Sequence, residues 1–275
     1  MQKTQNKKLL LVHLALILGA SIMLLPFVWM LLTALRTNPE AMAIPPRLFP
    51  EVWQWRNFID IFDMLPFGRY YFNTFVSTAV ITVGQTFLSA MAAYAFARLE
   101  FPLKNFLFII MLSVLMVPTQ VFLIPQYSII QRLGLLNSIP ALFIPGLFSA
   151  FGTFLLRQFF MTIPKSLEEA AIIDGCSRIK IFFVIILPLS KSALISLGIF
   201  ATLFGWNSLL WPLIVNTSPE MRTLSAGLAT LSGQFATNYP MLMTGAFLAI
   251  IPLIILFLVF QKQFVEGIAL SGSKE

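Results

Sequence analysis

Residues 169–188 read Glu-Ala-Ala-Ile-Ile-Asp-Gly-Cys-Ser-Arg-Ile-Lys-Ile-Phe-Phe-Val-Ile-Ile-Leu-Pro. The stretch and its flanks hold Arg157, Lys165, Glu168, Glu169, Asp174, Arg178, Lys180 and Lys191, in a chain that is 58% hydrophobic and only 11% charged. A polar island of this kind separates the apolar runs on either side, and its charges need water or a partner. It therefore marks a connection at a membrane surface and a place where something outside the membrane can touch the chain.

The rest of the composition supports that division. A chain of 275 residues with 28 Phe and a mean hydropathy of +0.87 carries more apolar surface than one soluble core of this size can bury. The fold class expected is all-α, a polytopic membrane protein. Cys176 and His13 are each the only residue of their type, so no intrachain disulfide forms and no Cys- or His-based metal site or catalytic pair is expected. The net charge of +7 is spread between apolar runs rather than clustered on one face, which argues for membrane topology and against nucleic acid.

About 20 apolar residues cross a bilayer core as helix, and six runs qualify: about 9–35, 72–97, 105–125, 140–160, 190–214 and 240–261. With the N-terminus inside, the inner connections receive twelve basic residues and the outer ones six. Positive residues near span ends stay cytoplasmic, so both termini, the loop 161–189 and the tail 262–275 are expected in the cytoplasm. The first run is too long for a signal-peptide core and is read as a signal anchor. Of the long outer connections, 36–71 has the Pro, Trp and Tyr content of an ordered lid near the headgroups, and 216–239 is open to two readings, a ligand-reaching segment or a solvated connector.

No Asp, Glu, Lys or Arg falls near the middle of a span, where ion-coupled carriers keep their relays. Neither a nucleophile–base pair at catalytic spacing nor a phosphate-binding G-K-[ST] loop occurs, so no catalytic residue is assigned and ATP hydrolysis by this chain is not expected. Polar groups within the spans, among them Asn73, Gln85, Gln120, Ser196 and Thr202, are expected to bond between helices. The segment Trp206-Asn207-Ser208-Leu-Leu-Trp211-Pro212 sets an amide and a hydroxyl among indole rings. That chemistry suits sugar hydroxyls and ring faces in a substrate pathway, and equally suits interhelical bonding beside an aromatic belt.

The island itself reads as helix, turn, helix. Ser166 and Glu169 have the spacing of a capping box, Asp174-Gly175 can end the first helix through a left-handed turn, and Arg178 to Leu187 resumes helical spacing with Ile181, Val184, Ile185 and Leu187 apolar, until Pro188 begins the next span. Such a pair is either a knob for a partner or an interfacial hairpin packed on its own bundle.

E-A-A, a glycine four residues after the second alanine, then nine residues and I-x-L-P resembles the signature loop of permease subunits of binding-protein-dependent ABC importers. Glu169, Ala170, Ala171, Gly175, Ile185, Leu187 and Pro188 match it, Asp174 fits its common D-G form, and Cys176 occupies a position that is usually small. Leu155 to Pro164, Trp206 to Pro212 and the terminal Gln261-Lys-Gln-Phe264-Val265-Glu-Gly267 are similar to carbohydrate-uptake permeases of the maltose type, the last to the tail of their six-span second subunit. The resemblance covers essentially the whole chain.

It implies that residues 161–189 form a coupling-helix loop docking on a cytoplasmic ATPase dimer through Glu168, Glu169, Ala170, Ala171, Asp174, Gly175, Ile185, Leu187 and Pro188, with Glu169 as the charged contact, Ala170 and Ala171 allowing close approach and Gly175 making the turn. Gln263, Phe264, Val265 and Gly267 would place the tail near the ATPase, unless it is a frayed terminus. The implied partners are that ATPase, which uses ATP and Mg, a second permease subunit, an extracytoplasmic sugar-binding protein and the lipid of a bacterial or archaeal cytoplasmic membrane; this chain is expected to bind no cofactor itself. The competing class is a stand-alone carrier or channel with the hairpin as a cytoplasmic gate.

Overall fold

The structure, a computed structural model, describes residues 2–233 and 237–272, except for the side chains of 2–8, 10–11 and 264–272. In chain order its helices are α1 (Gln2–Ala34), α2 (Asn38–Ala41), α3 (Asn57–Met64), α4 (Phe67–Arg98), α5 (Lys104–Ser113), α6 (Leu123–Arg132), α7 (Ile139–Phe143), α8 (Ala150–Thr162), α9 (Lys165–Ile173), α10 (Arg178–Ile181), α11 (Leu187–Leu189), α12 (Lys191–Trp206), α13 (Leu210–Val215), α14 (Leu224–Ala229) and α15 (Tyr239–Gly272). One isolated bridge, Ser232 to Thr237, is the sole extended pairing among the described residues. Helix is the expected outcome for apolar segments in lipid, where every backbone group must be satisfied within its own segment.

Three stretches are long and apolar enough to cross a membrane as single helices: Val12–Ala34, Phe67–Arg98 and Tyr239–Gln263. The other three expected runs, 105–125, 140–160 and 190–214, are not continuous helices. Lys104–Met116 and Thr119–Arg132 meet at 102°, Ile139–Gly146 and Ala150–Thr162 at 45°, and Arg178–Leu189 and Lys191–Trp206 at 79°. Each break has a local cause. Pro118 lacks the N–H the first would need. At the second, Ser149 accepts the Gly152 N–H at 3.0 Å and starts α8 afresh. The third falls at Ser190, fully buried, whose backbone leaves the helical region at φ −99°, ψ 15°. The expected fifth span, 190–214, also ends early, because α12 stops at Trp206 and α13 begins only at Leu210.

The chain forms two compact units, residues 1–67 with 228–251 and residues 68–227 with 252–275. In the first, the segment after α1 is ordered by buried polar groups. Arg36 is 2% exposed, stacks over the Trp29 ring at 4.8 Å and donates to the carbonyls of Arg47 and Leu48. Asn57 donates to the carbonyls of Ala34 and Arg36 at 2.8 and 3.1 Å. Thr37 and Glu40 form a reciprocal capping box on α2.

In the second unit, α4 is the common strut. Near its start, Gly205 of α12 lies so close that a Cβ there would meet the Thr78 Cα at 3.3 Å, and Thr82 and Thr202 share a hydroxyl hydrogen bond of 2.9 Å. Small residues and hydroxyls thus set the α4–α12 spacing where no aqueous phase drives association. Thr202 meets the expectation of interhelical bonding; Ser196 and Asn207 bond carbonyls of their own helix instead. Towards its other end, Ala90, Ala93 and Tyr94 pack with Leu156 and Phe160 of α8, Leu197 of α12 and the buried side of the polar island.

Candidate functional site

The island folds as α9, a turn, and α10 running through a π-helical turn, Phe182–Ile186, into α11. The proposed capping box is absent from its start: Pro164 stands at the N-cap and α9 begins at Lys165, which puts Ser166 inside the first turn. Gly175 makes the turn at φ +80°, a conformation that costs other residues a Cβ clash. Ser177 then caps α10 by accepting the Lys180 N–H at 3.3 Å. Pro188 does not begin the next span but lies within α11. The wide turn before it, with the Leu187 N–H reaching back five residues to Phe182, accommodates a ring that the α-helical register would exclude. That turn also rotates the buried face: Ile181, Phe182 and Ile186 face inward, whereas Val184, expected to be apolar-facing, is 62% exposed.

Glu168 is the main departure from the sequence reading. Its side chain is 5% exposed, and its Oε1 lies 2.6 Å from Nε of Arg98, itself 4% exposed. Arg178 approaches the other carboxylate oxygen at 3.8 Å. Arg98 also donates to the carbonyls of Phe160 and Ile163, at 2.7 and 2.5 Å, at the end of α8. One guanidinium therefore closes α4, caps α8 and holds α9. Glu168 belongs to this internal clasp and does not offer itself as an outward docking contact, and Ala171 is buried on the same face. Tyr94 adds an edge, its hydroxyl donating to the Arg178 carbonyl at 3.4 Å and its ring 5.2 Å from Phe182.

The opposite face of the pair is open. Glu169, Ala170, Asp174 and Gly175 are exposed, together with Ile173 at 86% and Ile179 at 71%. Ile185 and Leu187 are half-buried and Pro188 is exposed. Two exposed isoleucines thus lie beside a carboxylate and two small residues on an element clasped from its other side.

The 206–212 segment is not gathered into one site. Trp206 is buried, with its ring 6.3 Å from that of Tyr71, whereas Trp211 packs beside Ile130, Ala141 and Val215 and donates its indole N–H to the Ala141 carbonyl at 2.8 Å. Asn207 is exposed and donates to Leu203, and Ser208 is half-buried. The non-helical residues 207–209 between α12, which ends at Trp206, and α13, which carries Trp211, set the two indoles apart. In the tail, α15 bends at Phe260 and Gln263 is half-buried; Gly267 lies within α15, and the side chains of Phe264 and Val265 lie outside the described residues. No group of three or more His, Cys, Asp or Glu suited to a metal occurs among the described residues.

Residues 85–268, which include the clasp and the open face, match the family described as binding-protein-dependent transport system inner membrane component. The chain belongs to this family. It is 37% identical over 264 residues to the sn-glycerol-3-phosphate transport system permease protein UgpE of Pectobacterium atrosepticum, covering 93% of this chain and 94% of that one. It is 35% identical over 258 residues to the arabinooligosaccharides transport system permease protein AraQ of Halalkalibacterium halodurans, covering 93% and 92%. A crystal structure of a bacterial ABC transporter involved in the import of the acidic polysaccharide alginate contains a chain with the same fold, at a TM-score of 0.78 and 21% identity over 94% of this chain and 97% of that one.

Within this inner membrane component, sequence reasoning found the open face and missed what holds it. Arg98 lies 70 positions from Glu168 and ends an apolar run, where a basic residue reads as a topology marker. The available signal was the spacing of Glu168 and Ala171, three apart on one helical face, which puts the carboxylate on the same side as a small buried residue.

Proposed function

We propose that the chain is one permease half of an ATP-driven importer, and that a separate ATPase docks on the open face of α9–α10. The observation that carries this is the two-sided construction of the element: Glu168 locked by Arg98 on one side, and Glu169, Ala170, Ile173 and Ile179 presented on the other. An element clasped to α4, α8 and α12 moves with them, so force applied at the open face reaches the membrane helices rather than being lost in a flexible loop. In this reading the element faces the cytoplasm, in keeping with its basic flanks. The chain is then the non-catalytic subunit, ATP and Mg are used by the ATPase, a second permease subunit completes the pathway, and a binding protein delivers substrate on the other side.

The substrate class that fits is a carbohydrate or polyol phosphate. UgpE and AraQ carry the names of such cargoes, and the absence of an ionisable group mid-span suits a hydroxyl-rich solute moved by an external motor. The scattered placement of Trp206, Asn207 and Trp211 makes Trp206 and Asn207, near the α12 end, the pair to examine for pathway contacts. Trp211 serves packing.

The test is co-purification and coupling of the complex co-expressed with its ATPase, second permease and binding protein, with Glu169→Lys and Ile173→Glu in this chain. Loss of the ATPase from the purified membrane complex, with the second permease retained, is the expected result. Full retention of binding-protein-stimulated ATP hydrolysis in both variants would remove the docking assignment.

A further inference from the structure

In the second unit, the ends of α4, α5 and α8 line an open cavity of about 530 Å³ beside the start of α9. Three cations line it, Lys104, Arg157 and Lys165, against one carboxylate, Glu100. The charges are unevenly covered. Lys104 is only 16% exposed, and its carboxylate partner at 3.2 Å is 89% exposed, so water screens the anion more than the cation. Arg157 is half-buried, with Nε donating to the Phe96 carbonyl at 3.2 Å and its guanidinium 4.2 Å from the centre of the Phe108 ring. Neither contact neutralises it. The first turn of α5 opens at the same place. Its N-cap is Leu103, at φ +62°, whose side chain has no group to accept the first-turn N–H donors, so the positive end of the helix adds to the cations.

Two covered cations, a third at the rim and a helix N-terminus call for an anion with several acceptor oxygens. The walls say which kind. Leu103 and Phe106 are 69% and 58% exposed, Met161 is 51% exposed, and the apolar surface continues along α5 through Ile109 at 64%. A soluble anion would leave that surface without a use, whereas a phosphodiester carrying acyl chains uses both.

We propose that this cavity binds the headgroup of an anionic phospholipid, its phosphate set among Lys104, Arg157 and the α5 N-terminus, with Lys165 closing the rim and the chains lying along Phe106 and Ile109. The site is independent of the ATPase-docking face, although Lys165 begins the helix that carries it.

The experiment is native mass spectrometry of the purified complex, full-length in this chain, exchanged into equal phosphatidylglycerol and phosphatidylcholine of matched acyl chains. The wild type is expected to retain phosphatidylglycerol about tenfold over phosphatidylcholine, and the Lys104→Gln/Lys165→Gln variant to show no preference. Lys262→Gln, an exposed cation elsewhere, should keep the wild-type ratio. Glu100→Gln, which removes only an exposed carboxylate, should raise the ratio and serves if the double variant does not assemble. The lipid assignment is overturned by an unchanged ratio in the double variant, by an equal fall in Lys262→Gln, or by no rise in Glu100→Gln. Displacement of the retained lipid by millimolar inorganic phosphate would reassign the cavity to a soluble anion.

Discussion

The two ends of α4 fasten two loops with different chemistry. Near its start, Asn73, wholly buried, donates to the carbonyls of Glu220 and Arg222 at 2.8 and 2.9 Å, and Thr74 accepts the Leu224 N–H at 2.8 Å. At its end, Arg98 binds two carbonyls and the Glu168 carboxylate. The first clasp is made of neutral dipoles, and losing one partner leaves carbonyls wanting a donor. The second is made of buried opposite charges, and losing one partner leaves an ion in a dry site. Neutral clasps weaken by degrees as their bonds are removed. Charged clasps fail steeply, because desolvation of the remaining ion is then uncompensated. The charged one sits under the face proposed to take the motor's force, where a stiff connection matters most.

The sharpest way to break this comparison is Arg98→Met. It leaves Glu168 buried with only the more distant and half-exposed Arg178, and removes the donors from the end of α8. A loss of about 3–5 kcal/mol is expected. It should appear as a much lower unfolding midpoint of the purified complex or as failure to assemble. Arg98→Lys should rescue little, since a single ammonium cannot reproduce the guanidinium's fork to carbonyls and carboxylate together.

Asn73→Leu tests the neutral end. Two carbonyls lose a shared donor at a buried site, and about 1–3 kcal/mol is expected. Thermal unfolding of the same complex, under the same detergent, measures both variants on one scale. If Asn73→Leu cost as much as Arg98→Met, the distinction between neutral and charged clasps would not hold here.

These clasps also mark the boundary of what the sequence could reveal. Run length and apolarity were enough for α1, α4 and α15, because a long apolar helix needs only local information. The left-handed turn at Gly175 was legible for the same reason: Asp-Gly after a helical run is a local signal, and the φ of +80° follows from it. Two of the three bent helix pairs were not: apolar composition continues across Pro118 and Ser149, so a window that averages hydropathy passes over them, whereas the third break, at Ser190, coincides with the expected start of the run 190–214. Glu168 was misplaced because its partner is remote. A carboxylate in a polar island reads as solvated until Arg98 is brought to it by the packing of Tyr94, Phe160 and Ile181. The Trp206–Trp211 segment is the opposite case, with neighbours in sequence sent to separate surroundings by the break after α12.

Gly175→Ala gives a smaller and purely conformational effect. The site is open, with no atom within 4 Å of an added Cβ, so the cost is that of placing an L side chain at positive φ, about 1–2 kcal/mol. Gly175→Asn should lose less, because asparagine tolerates this conformation. Comparing the two by unfolding midpoint separates backbone strain from crowding: equal losses would point to crowding that the geometry does not contain.

The smallest effect is expected from Arg178→Ala, and it sharpens the comparison most. Arg178 shares Glu168 with Arg98, yet its nitrogen is 3.8 Å from the carboxylate and its side chain is 54% exposed, against 2.6 Å and 4% for Arg98. Water already screens the longer pair, so its removal should cost about 0.2–1 kcal/mol. Tyr94 would keep its bond, since it reaches the Arg178 backbone carbonyl rather than the side chain. The two arginines therefore pose one question with a single carboxylate as reporter. A large gap between Arg98→Met and Arg178→Ala in the unfolding midpoint assigns the clasp to the dry side of Glu168. Similar losses would mean that the island is held from its wet side, and that α9 is tied to its own hairpin more than to α4.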